Sequence, residues 1–298
     1  LAQRHAGGAA TPHQPPQPYH RDREIGDATD HAPVGRCRTT PEPAIGRPRT
    51  PPAAHRPRAA PARVSAALIL PAAGKGLRFG GAVAKQFLDL AGTPVLARTL
   101  AAFRGHVDAA WVAVSDDGRD DAAAIVAAHP PGFPVHLIAG GATRQESVHA
   151  ALRAVAPVHD VVLVHDAVRP LVPVACIDAC LAALTQQPAA VVAVPCAATV
   201  KRSVDGWLVA RTEPRDGLWL AQTPQGFRRE LGLAAYARAA AEGWLAACSD
   251  DAQVLERCGH AVALVPGDAV NLKLTTADDL ALVAAVLSAA AAPAPPRR

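Results

Sequence analysis

The chain has 298 residues, half of them hydrophobic, which suffices for one large core or two small ones. Its net charge of +4 comes from residues 1–63, where ten Arg face five acidic residues, so the remainder is close to neutral. This charge distribution argues against nucleic acid as a partner. No apolar run is long enough to cross a bilayer without a charge or a proline, so we also expect no membrane partner.

The first 63 residues differ in composition from the rest of the chain. They hold 12 of the 28 prolines and 5 of the 12 histidines and have hardly any periodic apolar pattern. Such a segment cannot bury enough apolar surface to offset its ordering entropy. We therefore predict a disordered Pro/Arg/His-rich extension over 1–63, a folded domain over 64–290 and a disordered tail over 291–298.

From residue 64 onward, short apolar runs alternate with helical patterns. The apolar runs predict buried strands at 66–70, 109–114, 134–139, 160–165, 189–195 and 261–267. The helical patterns lie at 94–104, 119–129, 145–155, 174–186, 229–241, 250–258 and 277–290. This alternation predicts an α/β, Rossmann-like fold in which helices flank a mostly parallel central sheet.

Two segments depart from this alternation. Residues 199–213 contain two strands of mixed polarity around Asp205-Gly206, which is a strong hairpin signal. We predict a protruding β-arm there, over about 197–216. The tetrapeptide Thr223-Pro224-Gln225-Gly226 has the composition of a turn.

The six cysteines form no CxxC pair and have no histidines at zinc spacing. We interpret them as reduced thiols and expect a cytoplasmic protein.

The loop after the first strand, residues 71–81, reads PAAGKGLRFGG. Ligands in open α/β sheets bind beyond the carboxyl ends of the strands, and glycine-rich backbone can cradle phosphate. Neither common phosphate motif fits, because Phe79 stands where the dinucleotide fingerprint needs Gly and Gly76 where Walker A needs Ser or Thr. Arg78 and Lys85 remain as cations that can stabilise attack on the α-phosphorus of a triphosphate.

Seven segments in order carry a resemblance that covers residues 65–288. They are LPAAGKGLRFGGAVAKQFLDLAGTPVLARTL, GGATRQESV, VHDAVRP, VPCAATVKR, RDGLWLAQTPQGF, SDDAQVLERCG and NLKLTTADDL. Together they resemble the 2-C-methyl-D-erythritol 4-phosphate cytidylyltransferase family of nucleotidyltransferases. The resemblance implies transfer of CMP from CTP to 2-C-methyl-D-erythritol 4-phosphate. The products would be 4-diphosphocytidyl-2-C-methyl-D-erythritol and pyrophosphate, a step of non-mevalonate isoprenoid precursor biosynthesis.

The resemblance also implies a role for each matching residue. Arg78 and Lys85 would stabilise the pentacoordinate α-phosphate. The nucleotide-binding residues would be Ala72, Ala73, Gly74, Gly76, Gly141 and Ser147. The residues that position the acceptor would be Asp166, Arg169, Thr199, Thr223, Arg215 and Lys273. Two positions depart from the family pattern, since Ala142 and Ala198 stand where acidic residues are common.

A cofactor and an assembly follow from the same resemblance. It implies Mg²⁺ held mainly by the CTP phosphates, with no metal-ligating residue of the protein. It also implies a homodimer, in which the β-arm supplies Thr199 and Arg215 to the neighbouring subunit.

Two alternative functions stay open at this point. One is a cytidylyltransferase for another polyol phosphate, such as ribitol 5-phosphate. The other is a catalytically silent nucleotide-binding or regulatory protein, which intact Arg78, Lys85, Arg215 and Lys273 disfavour.

Overall fold

The structure, a computed structural model, describes residues 64–74 and 83–291, with side chains as far as residue 289. The predicted disordered extension 1–63 lies outside the described residues, and so does the predicted tail 291–298 except for Ala291, which is the last residue of a helix. Residues 75–82, the greater part of the glycine-rich loop, also lie outside them. No described helix is both long and apolar enough to span a membrane.

The described residues form eleven strands and seven α-helices. The strands are β1 (Ala66–Ala72), β2 (Asp89–Leu90), β3 (Thr93–Pro94), β4 (Ala109–Val114), β5 (Val135–Ala139), β6 (Val161–Val164), β7 (Ala189–Pro195), β8 (Val200–Ser203), β9 (Val209–Glu213), β10 (Trp219–Arg228) and β11 (Val262–Pro266). The helices are α1 (Val95–Ala102), α2 (Arg119–Ala128), α3 (Arg144–Ala154), α4 (Val174–Leu184), α5 (Arg229–Ala241), α6 (Asp251–Arg257) and α7 (Ala277–Ala291).

Seven strands form the central sheet in the order β11-β7-β10-β6-β1-β4-β5. β1 pairs in parallel with β4 and β6, as do β4 with β5 and β7 with β11. β10 runs antiparallel to both of its neighbours, β6 and β7. The strand order therefore brings the carboxyl ends of β1, β4, β5 and β6 to one edge of the sheet.

Helices cover both faces of this sheet, which explains why its strands are continuous apolar runs. In β1, Leu68 and Leu70 belong to the core cluster that includes residues of α1, α2 and α4. Ile69, between them, points to the opposite cluster, which includes residues of α3, α5 and α6. All three side chains are fully buried. A strand buried on both faces has no polar alternation, as the sequence predicted.

The Rossmann-like fold class is confirmed, and the predicted elements match the observed ones closely. Strands 109–114 and 189–195 and helix 229–241 have the predicted bounds. The other predicted strands of the sheet and the helices begin and end within two residues of their predicted positions.

The predicted turn at residues 223–226 is wrong. These residues lie inside β10, and the register between β10 and β7 shifts between Ala221 and Gln225. The peptide bond between Thr223 and Pro224 is cis. Proline cannot donate to a strand ladder, and the register shift supplies the irregularity at which a sheet tolerates it.

The predicted hairpin is present, as the antiparallel pair of β8 and β9. It is separate from the central sheet, and Val204 and Trp207 near its tip are 90% and 87% exposed. Its role as a dimerisation arm stays a prediction.

Candidate active site

An open cleft of about 1070 Å³ lies where the strands β1, β4, β5 and β6 end. This is the edge of an open α/β sheet at which ligands bind. Most of the predicted site residues line it: Ala72, Ala73, Gly74, Lys85, Gly141, Ser147, Asp166 and Lys273. Residues from distant parts of the sequence therefore share one cavity.

One wall of the cleft is the turn between β5 and α3. The Gly141 amide donates to Ser147 Oγ at 3.0 Å, and Ser147 Oγ donates to the carbonyl of Thr143 at 2.9 Å. Thr143 caps α3 and forms a capping box with Glu146. A Cβ on Gly141 would lie 2.4 Å from the Glu146 Cβ, so this position requires glycine. The turn thus presents bare backbone to the cleft, and nucleotide binding by Gly141 and Ser147 stays a prediction.

The floor of the cleft carries a cluster of charges around Asp166. Arg144 Nε donates to Asp166 Oδ1 at 3.2 Å, and Arg169 Nε donates to Oδ2 at 3.1 Å. Lys273 Nζ lies 3.0 Å from the same Oδ2. Burial alone would raise the pKa of Asp166, but Arg144, Lys273 and Arg169 outweigh it and hold this pKa well below its usual range. Asp166 is therefore ionised, and it holds three cations at the floor of the cleft.

A buried polar layer supports Asp166 from beneath. The Asp166 amide donates to Thr223 Oγ1 at 3.1 Å, and the hydroxyl lies 2.9 Å from His165 Nδ1. His165 Nε2 lies 3.1 Å from the carbonyl oxygen of Arg169. A carbonyl only accepts, so Nε2 carries the proton and Nδ1 accepts from Thr223. Burial lowers the pKa of His165 to about 4, which keeps the ring neutral at pH 7.

Lys85 reaches the cleft from the segment that follows the glycine-rich loop in the chain. It begins a short 3₁₀ turn, in which Gln86 Nε2 donates to the Ala72 carbonyl at 2.6 Å. That bond ties the turn to the end of β1. Lys85 Nζ donates to the Leu274 carbonyl at 3.2 Å, next to Lys273 in the chain. The two lysines predicted to contact phosphate groups therefore lie near each other.

Four predicted residues are not part of this assembly. Gly76 and Arg78 lie outside the described residues. Thr199 and Arg215 lie at the base of the hairpin, both exposed and outside the lining of the cleft. Arg215 Nη1 donates to the carbonyl of Ala197. Their predicted contribution to a neighbouring subunit's site stays a prediction.

Sequence reasoning missed Arg144, which also lines the cleft. Its guanidinium bonds Asp166 through one nitrogen and Asp251 through the other two, at 3.1 and 2.8 Å. A local signal existed, because Arg144 starts the helix that follows β5 at the ligand-binding edge of the sheet. Among the described residues, no group of three or more His, Cys, Asp or Glu could hold a metal ion.

Comparisons with known proteins identify relatives of the whole folded region. A family model described as 2-C-methyl-D-erythritol 4-phosphate cytidylyltransferase matches residues 66–289. A curated protein of that name from Deinococcus radiodurans is 46% identical over 220 residues, which are 74% of this chain and 88% of that relative. The crystal structure of the Thermus thermophilus protein of the same name is 36% identical, with a TM-score of 0.63, and covers 76% of this chain and 100% of its own.

A longer relative matches in the same region. The bifunctional enzyme IspD/IspF of Rhodospirillum rubrum is 47% identical over 216 residues, which are 72% of this chain. The match covers 55% of that enzyme, so this chain spans about half its length.

Proposed function

The chain belongs to the 2-C-methyl-D-erythritol 4-phosphate cytidylyltransferase family, and on this premise we propose that it transfers CMP from CTP to 2-C-methyl-D-erythritol 4-phosphate. The products are 4-diphosphocytidyl-2-C-methyl-D-erythritol and pyrophosphate. The names of its relatives from Deinococcus radiodurans and Geotalea uraniireducens favour this acceptor over ribitol 5-phosphate.

One observation carries the proposal for the mechanism: Lys85 and Lys273 approach the same end of the cleft, beside an ionised Asp166. A phosphate oxygen of the acceptor attacks the α-phosphorus of CTP. The bond from that phosphorus to the bridging oxygen of the β-phosphate breaks, and pyrophosphate leaves with the electron pair. The nucleophile is already an anion, so the protein need not remove a proton from it.

The lysines stabilise the transition state by charge. Negative charge spreads over the oxygens of the pentacoordinate phosphorus, and fixed cations are most effective where that charge develops. Lys85 acts at the α-phosphate, together with Arg78. Lys273 is held by Asp166 and remains 40% exposed, which suits a cation that must also contact the acceptor's phosphate.

We propose Mg²⁺ as the cofactor, held mainly by the phosphates of CTP. Proteins commonly bind Mg²⁺ through one or two carboxylates plus substrate phosphates. Both carboxylate oxygens of Asp166 already contact cations, from Arg144, Arg169 and Lys273, which makes it a poor additional ligand. The bound ion would offset the charge of the triphosphate.

We further propose a homodimer that completes each site with the neighbour's hairpin. Trp207, Val204 and Leu208 leave large apolar areas exposed on the hairpin, at 87%, 90% and 66%. Burial in a second copy removes that surface from water. Thr199 and Arg215 at the hairpin base are exposed in the single chain, where a partner's cleft can receive them.

We propose a cytoplasmic location on the basis of the thiols. Cys176, Cys180, Cys196, Cys248 and Cys258 are free, a state that a reducing compartment maintains.

The direct test is release of pyrophosphate with a panel of nucleoside triphosphates and polyol phosphates. We expect release only with CTP and 2-C-methyl-D-erythritol 4-phosphate together, and a cytidylylated polyol by mass spectrometry. Faster release with ribitol 5-phosphate would replace the proposed acceptor. No release with any pair, from a folded protein that binds CTP, would refute the proposed activity.

A further inference from the structure

We propose that Asp251 and Tyr236 are positioning residues for the acceptor side of the reaction, and that they act through Arg144 on Asp166. This inference rests on the proposed function and extends it to buried residues behind the cleft. It starts from one observation: every hydrogen bond described for the Arg144 side chain goes to a carboxylate.

The contacts form a continuous line from the core to the cleft. Tyr236 OH donates to Asp251 Oδ1 at 2.5 Å, and the same oxygen accepts from Arg144 Nη1 at 3.1 Å. Arg144 Nη2 donates to Asp251 Oδ2 at 2.8 Å, and Arg144 Nε reaches Asp166. Asp166 in turn holds Lys273 at 3.0 Å. Side chains from separate parts of the chain thus connect the protein core to a cation of the cleft.

The buried end of this line is enclosed in the core and hydrogen-bonded. Tyr236 and Asp251 are both 0% exposed. Burial and the neighbouring carboxylate raise the pKa of Tyr236 well above its usual value, so its hydroxyl stays protonated and donates. Asp251 opens α6, whose start is tied to β10 because Gln225 accepts from the Ala252 amide at 2.8 Å. Asp251 therefore has a fixed position relative to the sheet.

The geometry of Arg144 suits transmission of that position. A guanidinium is a planar fork, so two parallel bonds to Asp251 determine where its third nitrogen points. That nitrogen, Nε, points at Asp166 Oδ1. The orientation of the Asp166 carboxylate then determines where Oδ2 holds Lys273. A lysine at position 144 would keep the charge but could not bond both carboxylates with the same geometry.

Stability alone does not account for the arrangement. A buried ion pair stabilises a fold little more than well-packed apolar side chains of the same size, because both charges lose their hydration. Here the pair of Arg144 and Asp251 has one member, Arg144, in the lining of the cleft. Misplacement of a reacting group by about 1 Å can lower a rate about 100-fold. A fixed path from Tyr236 to Lys273 therefore serves the alignment of the acceptor.

The experiment is steady-state kinetics on the full-length chain, with CTP and 2-C-methyl-D-erythritol 4-phosphate varied separately. For Arg144→Lys we expect kcat to fall about tenfold or more and the KM of the acceptor to rise. The KM of CTP should stay within about twofold, since Arg144 lies in the wall of the nucleotide side but its described side-chain hydrogen bonds go to Asp166 and Asp251 and not to that wall. Tyr236→Phe, which removes a single hydroxyl, should give a smaller change in the same direction.

A matched control and a double variant make the result decisive. Arg153→Lys, an exposed arginine on the same helix, should leave both KM values and kcat at wild-type levels. Combining Arg144→Gln with Asp251→Asn should cost no more than the worse single change, because both interrupt one line. If Asp251→Asn does not fold, the kcat and KM values of Arg144→Lys and Tyr236→Phe still test the inference.

Three outcomes would overturn the inference: wild-type kcat in both Arg144→Lys and Tyr236→Phe, fully additive losses in the double variant, or equal increases of both KM values that follow a fall in Tm. An inactive wild-type protein would instead refute the proposed function itself.

Discussion

Lys85 Nζ donates a hydrogen bond to the carbonyl oxygen of Leu274 at 3.2 Å, although 189 positions separate the two residues in the chain. Because Leu274 follows Lys273, this bond brings two of the chain's four lysines to one end of the cleft. Lysine is a compact point charge on a flexible stem, whereas arginine is a planar fork. The flexible lysine stem lets the ammonium keep contact with a phosphate group whose geometry changes during the reaction, which a planar fork does less well.

The first prediction concerns Lys85. Lys85→Ala should lower kcat about 100-fold or more, because removing one fixed donor at a developing charge has an effect of that size. The Kd of CTP should change much less, since the charge matters most in the transition state. Single-turnover kinetics and CTP titration measure the two quantities. Arg238→Ala, an exposed arginine on α5, is the control; an equal loss of CTP affinity and rate would contradict the proposed role.

The second prediction concerns pH and His165. Burial lowers the pKa of His165 from 6.5 to about 4 in the folded protein. Between these values the unfolded chain binds a proton that the folded chain does not, so the folded state loses stability as the pH falls from 6.5 towards 4. This contribution is fully present above pH 6.5, and its loss amounts to about 3 kcal/mol by pH 4.

Urea unfolding at a series of pH values tests it. His165→Gln should show a shallower decline of unfolding free energy across this window than the wild type. His129→Gln, which replaces an exposed histidine, should decline as steeply as the wild type. Parallel curves for His165→Gln and the wild type would show that the buried ring does not control this slope.

Most of the fold followed from the sequence because the information is local. Strands such as β4 and β7 are apolar on both faces. A short run of that kind is typical of a strand that helices cover on both sides. β10 was missed because Pro224 and Gly226 have turn composition, and only its pairing with β6 and β7 gives the segment a strand conformation. The residues around this segment in the sequence do not indicate that β6 and β7 are its partners.

The site residues, too, differ in whether the sequence alone could predict them. Gly141 was predicted from the family resemblance, and Asp166 could be found from the sequence because it follows a buried strand at the ligand-binding edge. The functions inferred for Arg144 and Asp251 could not, because their contact joins residues 107 positions apart. Nothing in the residues around Asp251 distinguishes it from Asp250, which instead caps α6. The difference between these two neighbouring carboxylates exists only in the folded chain.

The third prediction concerns the wall of the nucleotide side. In Gly141→Ala the new Cβ would lie 2.4 Å from the Glu146 Cβ, so the turn must move. We expect the Kd of CTP to rise about tenfold, a loss of about 1.4 kcal/mol. Isothermal titration with CTP measures it. Glu146→Ala separates the effect of the clash from the effect of the lost cap, because it removes the capping box without adding a Cβ to the turn. If both variants raise the Kd of CTP equally, the lost cap and not the clash is the cause.

The fourth prediction tests the shared site of the proposed homodimer. Arg215→Ala should mainly raise the KM of the acceptor, and Lys85→Ala should lower kcat, each in pure form. If the hairpin of one subunit completes the cleft of its partner, a mixed dimer has one site with both changes and one with neither. Random exchange makes half of the dimers mixed, so at low acceptor concentration the equimolar mixture should recover about a quarter of the wild-type activity.

The recovery depends on exchange of subunits, which can be measured separately. Sedimentation of differently tagged variants reports mixed dimers directly, and Trp207→Ser should weaken the association by removing an apolar side chain that is 87% exposed in the single chain. If mixed dimers form and the mixture stays at the average of the two variants, each subunit has a complete site of its own. In that case Arg215 would act on its own chain, and its bond to Ala197 would hold it near the hairpin base rather than offer it to a neighbour.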